Sequence, residues 1–475
     1  MSALIDLKPR AKAGAGTGPG DTQASMSWLS TRRLMTAALL AWALMAVLGV
    51  VLGPILGHDE AAFALAARGQ APPGVWLYRS DGTIAIAKLG ILLGGAVWQL
   101  RLASAVLGLT VVLGIAAVGR AAFGARTGAW AAALIAGAHP MVLRAAELLS
   151  DLPATGCVLG GIALLVGELD REGGPRWRIV AAAPLFAAAF YVRYGSAPVI
   201  AFAIAAAGVM WWRQVAARPL RMLALIAALA VLLVPHLVRS LDATGTMLGI
   251  MKVSAGMPRR AYVGEGLVTY LTSNPLLFYG FLIAPVAVAG VVGLPWVRRK
   301  APWYLALVAI AQLVSLGVQS HGQPRYVFIA VSLLVVLGVD RWARLGRPRV
   351  AAALVASAWL GAVLAAVWYF PHLDHERAPL VEAGRAIRAD AAGRPCVAVA
   401  LIVPELMWYS GCEVRMAALA VTPLPADPVR YLATFTRWPI EIARIAAAQH
   451  ATVTPVPTMD PRAQVWRLAD QRPSK

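Results

Sequence analysis

Two acids stand directly after the first apolar block of this chain, Asp59 and Glu60 in GHDEAAFALAARG. A carboxylate beside a membrane-length apolar run is costly to keep there, and it is a candidate base. The simpler account is a solvated acid just past a helix end, and position alone leaves both readings standing. A second acid, Asp151 in RAAELLSDLPATG, precedes Pro153, with Glu147 about one turn earlier. The helix dipole favours an acid at a helix start, so capping accounts for Asp151 taken singly. Cations gather on the same side of the apolar blocks. They are Arg68, Arg79, Lys88 and Arg101 near the first loop, Arg193 beside Tyr194 in YVRYGSAP, Arg239 after PHLV, and Arg325 with His321 and Tyr326 in SHGQPRYVF. Such groups want an anionic partner, either a lipid headgroup or a bound phosphate. Snorkelling to headgroups explains each of them alone. His58, His236 and His321 lack HxxxH or HExxH spacing, so a structural role fits them better than metal ligation. Walker-type and GxSxG loops, and GxGxxG in the right context, are absent.

The elements that must position these residues are membrane-length helices. Of 475 residues, 59% are hydrophobic and only 14% charged, too few charges for the exterior of a soluble protein of this length. The apolar residues fall in blocks long enough to cross a bilayer, which takes about 20 residues per helix. Spans are predicted at 34–56, 97–118, 127–143, 150–167, 177–192, 196–212, 220–238, 275–297, 302–318, 325–339 and 349–370, about eleven in all. The stretch 83–95 is too short to cross alone and reads as a half-span or an interfacial helix.

The net charge of +20 raises nucleic acid as a partner, but no basic face is interleaved with aromatics, and none is expected. The charge instead marks alternate loops. These are Arg32 and Arg33; Arg120 and Arg126; Arg171, Arg176 and Arg178; Arg213, Arg218 and Arg221; Arg298, Arg299 and Lys300; and Arg341, Arg344, Arg347 and Arg349. The positive-inside rule puts these loops and the N-terminus in the cytoplasm and the C-terminus outside it. Attraction to anionic lipid is a further expectation.

Three divisions follow. Residues 1–31, with AGAGTGPGDTQAS, read as a disordered cytoplasmic tail. Residues 32–370 form the transmembrane part, with a first outer loop at 57–82 in which AAFALAAR reads as an interfacial helix. Residues 371–475 read as a small extracytoplasmic α/β domain, with a helix over 377–390, a buried strand at 395–403, a second helix over 438–448 and late strands in VTPVPT and QVWRLAD. Cys157 lies in a span as a small apolar filler. Cys396 and Cys412 both lie in the outer domain, where a disulfide is chemically allowed; spacing does not decide it.

Taken in order, HDEAAFALAARG, LYRSDG, WQLRLASAVLGLTVVLGIAAVGRAAFG, HPMVLRAAELLSDLPATG, FYVRYGSAP, VPHLVRSLDATGT and HGQPRYVFIAVSLLVVL resemble the GT-C membrane glycosyltransferases. The nearest group is the ArnT-like and protein O-mannosyltransferase-like one (glycosyltransferase family 39 type). The resemblance covers roughly residues 34–340, and each motif is weak alone. It implies a helical GT-C fold, a polyprenyl-phosphate-linked sugar donor and an acceptor outside the cytoplasm. It carries Asp59 over as the essential first-loop acid and Asp151 as the second acid. Glu60 stays a further catalytic candidate. Arg193, Arg325 and Tyr326 fall near the carrier phosphate, with Arg68, Arg79, Lys88, Tyr194 and His321 as further substrate-binding candidates. One departure stands out. Relatives often carry a basic residue or histidine followed by proline where this chain has SDGTIAI, 80–86. Arg79 or Lys88 is the candidate substitute, and a divalent metal stays open.

The resemblance and the residues imply one chemistry. An acceptor hydroxyl attacks the anomeric carbon while Asp59 takes its proton, inverting the configuration. The anionic phosphate leaving group needs cations rather than an acid. The implied acceptor is a glycolipid, an envelope polysaccharide or a protein, and the implied location is a bacterial inner membrane. The alternatives are a lipid-linked sugar transporter or flippase, which would show inverted repeats and mid-membrane charges, and an oligosaccharide ligase.

Overall fold

The computed structural model describes residues 30–70, 78–171, 174–256, 260–294, 298–343, 348–417, 424–425 and 427–470. Residues 1–29 of the expected tail, part of the first outer loop (71–77) and the loop holding Arg344 and Arg347 lie outside the described residues, and Thr31, the last residue of that tail, already opens a helix.

The apolar blocks form helices. These are α1 (Thr31–Leu52), α2 (His58–Ala67), α3 (Asp81–Leu92), α4 (Val97–Phe123), α5 (Ala125–Ile135), α6 (His139–Ala145), α7 (Asp151–Leu169) and α8 (Ala182–Val192). They continue as α9 (Ala197–Met210), α10 (Pro219–Thr244), α11 (Ile283–Val292), α12 (Lys300–Gln319), α13 (Phe328–Ala343) and α14 (Pro348–Ala391), with short helical pieces between. Among the described residues, six helices are long and apolar enough to cross a membrane: α1, α4, α7, α10, α12 and α14. Shorter apolar helical stretches occur at 177–192, 194–210 and 283–292. The expected span 127–143 is two pieces, α5 and α6, parted just before Pro140, which has no backbone N–H to continue a ladder. The expected span 275–297 is also broken, with Gly280 and Leu282 at positive φ before α11.

Small residues let these helices approach closely. A side chain on Gly114 of α4 would sit 2.9 Å from the Gly156 carbonyl of α7, and one on Gly290 of α11 would sit 2.6 Å from the Gly338 nitrogen of α13. Large apolar side chains such as Val51, Leu220 and Leu364 point outward and stay exposed. An apolar belt of this kind needs lipid around it.

Helix α14 has 44 residues, about 66 Å of helix against about 30 Å of hydrocarbon. It runs through position 370 without a break, joining the expected last span to the expected helix at 377–390. Its polar end packs on a five-stranded sheet: β1 (Cys396–Ala400), β2 (Glu413–Met416), β3 (Val429–Phe435), β4 (Ala451–Val456) and β5 (Ala463–Asp470). The order is β2-β1-β3-β5-β4, with β1 parallel to β2 and β3, and β5 antiparallel to β3 and β4. Helix α15 (Val403–Ser410) links β1 to β2, and α16 (Ile442–Ala448) follows β3. Cys396 and Cys412 form a disulfide that closes the loop containing α15.

Candidate active site

Helix α2 begins at His58 and turns its two acids to different surroundings, because successive helical residues lie about 100° apart. Glu60 faces inward and is 2% exposed. Arg101 of α4 donates to it twice, from Nε and Nη2, each at 2.8 Å, and the backbone N–H groups of Leu148 and Gly57 donate at 2.8 Å. Four donors occupy this carboxylate. Glu60, a catalytic candidate in the sequence, is placed as a buried anchor that ties α2 to α4 and to the approach of α7.

Asp59 faces a half-open space. Arg79 Nη1 donates to Oδ1 at 2.7 Å, and Arg325 Nη1 donates to Oδ2 at 2.9 Å. Burial pushes the Asp59 carboxyl up, but Arg79 and then Arg325 outweigh it and hold it well below the usual carboxylate range. Arg79 enters from the loop before α3, packed over the rings of Phe63 and Tyr78. Arg325 enters from the turn Pro324–Val327, where its Nε donates to Gln323 Oε1 at 2.7 Å. His321 meets Gln323 at 2.8 Å and lies edge-on to Tyr326, so it shapes this turn.

Asp151 opens α7, is 2% exposed and is paired with Arg193, which sits between α8 and α9. The Arg193 guanidinium lies 5.1 Å from the Tyr326 ring centroid, and that of Arg325 lies 5.6 Å from the same ring. The two sequence-predicted acids are thus joined through Arg193, Tyr326 and Arg325.

Four more candidates find other places. Tyr194 donates to Asp81 Oδ2 at 3.0 Å, and Asp81 also pairs with Arg239 of α10. Ser80 and Thr83 donate to the Val192 carbonyl at 2.5 and 2.8 Å. A side chain on Gly82 would lie 2.7 Å from the Val192 nitrogen. Ser80, Gly82 and Thr83 therefore seat α3 against the end of α8, while Asp81 ties it to Tyr194 and to α10. Lys88 is exposed further along α3, and among the described residues it has no ion-pair partner. Arg68 turns to the outer domain, with its guanidinium 3.8 Å from the Trp408 ring centroid. Asp81 went unnoticed in the sequence; an acid opening a helix beside S-x-x-T was the signal to find it by.

The donor set does not fit a divalent ion. Both Asp59 oxygens bind guanidinium groups, and among the described residues no three His, Cys, Asp or Glu side chains converge.

Membrane-length helices that carry paired acids and arginines, joined to a small sheet domain, define the class, a polytopic membrane protein. Comparison with known proteins gives the same answer. Residues 83–238 match the family described as dolichyl-phosphate-mannose-protein mannosyltransferase. No curated protein matches. ArnT from Cupriavidus metallidurans in the apo state superposes with a TM-score of 0.66 at 16% identity, covering 94% of this chain and 98% of that one. The same protein bound to undecaprenyl phosphate gives 0.66 at 15%, covering 91% and 97%. The archaeal oligosaccharyltransferase AglB from Archaeoglobus fulgidus, in complex with an inhibitory peptide and a dolichol-phosphate, gives 0.51 at 12%, covering 86% and 70%. The chain shares the fold of ArnT.

Proposed function

We propose that the protein is a membrane glycosyltransferase that moves a sugar from a polyprenyl-phosphate carrier to an acceptor outside the cytoplasm. The observation that carries this reading is Asp59 held between Arg79 and Arg325 on a ten-residue helix just beyond the first membrane-length helix. The match to a mannosyltransferase family and the likeness to ArnT bound to undecaprenyl phosphate support it.

The acid and the arginines are each other's resting partners. A carboxylate so stabilised is a weak base. An arriving carrier phosphate competes for the guanidinium groups, since arginine binds phosphate with two parallel hydrogen bonds. An Asp59 oxygen is then released, and its affinity for a proton rises. The acceptor oxygen forms its bond to the anomeric carbon as the bond from that carbon to the phosphate oxygen breaks. The acceptor proton passes to Asp59, and the bonding pair leaves on the phosphate, which Arg79 and Arg325 neutralise. A single displacement inverts the anomeric configuration. Asp151 keeps Arg193 beside Tyr326, and in this reading that guanidinium is a further cation for the carrier phosphate.

Residues 32–370 would be the membrane catalytic part and 371–475 the extracytoplasmic part. The disulfide between Cys396 and Cys412 fits a domain outside the reducing cytoplasm. An open cavity of about 740 Å³ lined by Ile55, Arg385, Tyr409 and Arg462 lies where the two parts meet and offers room for an acceptor.

The test is sugar transfer or donor hydrolysis by purified protein with a panel of radiolabelled polyprenyl-phosphate sugars, alongside Asp59→Asn. Turnover of one donor by the wild type, lost in a folded Asp59→Asn, supports the enzyme and its base. Turnover that survives in Asp59→Asn removes the assignment of the base, and no turnover of any donor counts against the enzyme.

A further inference from the structure

We propose that helix α15 of the outer domain is a positioning element for α2, and that Glu405, Trp408 and Tyr409 hold the helix that presents Asp59. The inference rests on the reading of Asp59 as the reacting acid.

Helix α2 has ten residues, and an isolated helix of that length is marginal. Its order must come from what it packs on. One side is supplied by α3 and α4, where Phe63 and Ala64 join Leu56, Ile86, Leu100 and Leu148 in a small apolar cluster. Trp408 packs against that same cluster from the outer domain. Three contacts then span α2 from end to end. Before its start, the Leu56 N–H donates to Tyr409 Oη at 2.8 Å. At its first residue, His58 Nδ1 lies 3.0 Å from Glu405 Oε2. At its end, the Arg68 guanidinium covers the Trp408 ring at 3.8 Å. Asp59 sits directly beside the second of these points.

The clamp is itself braced. The other side of α15 belongs to the outer domain, where Leu406 is fully buried in the sheet core and Met407 packs against it. Arg388 of α14 donates to the carbonyls of Trp408 and Ser410 at the end of α15. Gly384 of α14 lets the two helices touch, since a side chain there would lie 2.5 Å from the Tyr409 Cβ. The disulfide, with a sequence separation of 16, closes the segment that carries α15. The outer domain therefore grips the catalytic helix with side chains fixed from behind. This matters because a base misplaced by about 1 Å costs about 100-fold in rate.

The experiment uses the full chain in lipid nanodiscs. Hydrogen exchange of residues 58–67 and turnover of the donor found in the panel above are measured for wild type, Trp408→Ala, Trp408→Phe and Asp59→Asn. Trp408 is only half-buried, so its removal does not hollow the domain core. Loss of one cation–π contact is worth roughly tenfold in the opening equilibrium. The expected result for Trp408→Ala is about tenfold faster exchange confined to 58–67, a lower kcat and an unchanged KM for the donor, with both defects corrected in Trp408→Phe. Unchanged exchange at 58–67 overturns the proposal, and so does faster exchange with a wild-type kcat. If Asp59→Asn keeps its turnover, the reading of Asp59 has failed, and the clamp is then judged on exchange alone.

Discussion

At the residue scale the telling comparison is between two neighbours of the same charge. Asp59 and Glu60 are adjacent and acidic, yet one faces a half-open site and the other is sealed by four donors. Their substitutions should separate. Asp59→Asn is expected to lower turnover by roughly 100- to 10,000-fold, the usual worth of a positioned base, with little change in melting temperature. Glu60→Gln should do the reverse first, leaving Arg101 buried without a countercharge at a cost of about 3 kcal/mol. A thermal melt of Glu60→Gln that matches wild type would remove the anchor role. The pair DE was legible in the sequence as chemistry, but its division of labour was not. Arg79 and Arg325 lie 20 and 266 positions from Asp59, and Arg101 lies 41 from Glu60. Only folding reveals which acid each arginine reaches.

At the element scale, hydropathy found where helices lie better than where they break. The blocks at 34–56, 150–167 and 220–238 correspond to α1, α7 and α10, each one continuous helix. The blocks at 127–143 and 275–297 are also apolar but interrupted, because one proline or one positive-φ residue breaks the ladder while leaving the run apolar enough to read as a span. In the outer domain the strands near 395–403 and in QVWRLAD were legible, while the central strand β3, VRYLATF, was passed over. It lies between β1 and β5, and its Arg430 and Thr434 break the apolar run that marks a buried strand. Arg430 is tolerated there because it pairs with Asp470 at the end of β5. The SDGT start of α3 shows the same limit, since its residues answer to a partner carbonyl 109 and 112 positions away. Gly82→Ala tests that contact. A methyl group 2.7 Å from the Val192 nitrogen must push α3 off α8, and overpacking of this kind costs about 1–3 kcal/mol. The expected result is a lower melting temperature; an unchanged melt would mean the two helices are not held this tightly.

At the scale of the whole molecule, the link between outer domain and membrane part carries a titratable group. His58 is pushed down by burial and pulled up by Glu405 and then Asp59, with Arg79 opposing, and the net effect is upward from 6.5. Its proton is therefore held more tightly when α15 is docked than when it is not. By linkage, the stabilisation is fully present below 6.5 and is lost as pH rises through the raised value. Raising the pH should loosen the grip of the outer domain on α2, while the Arg68–Trp408 and Leu56–Tyr409 contacts, which do not titrate in this range, keep the two parts together. Hydrogen exchange at 58–67, corrected for the intrinsic pH dependence of amide exchange, should accelerate as pH rises from 6.5 through the raised value in the wild type. In His58→Gln the corrected rate should be flat, because glutamine can still reach Glu405 but carries no titrating proton. A flat wild-type profile would show that the histidine does not report on docking. A slope that persists in His58→Gln would place the titration on another group.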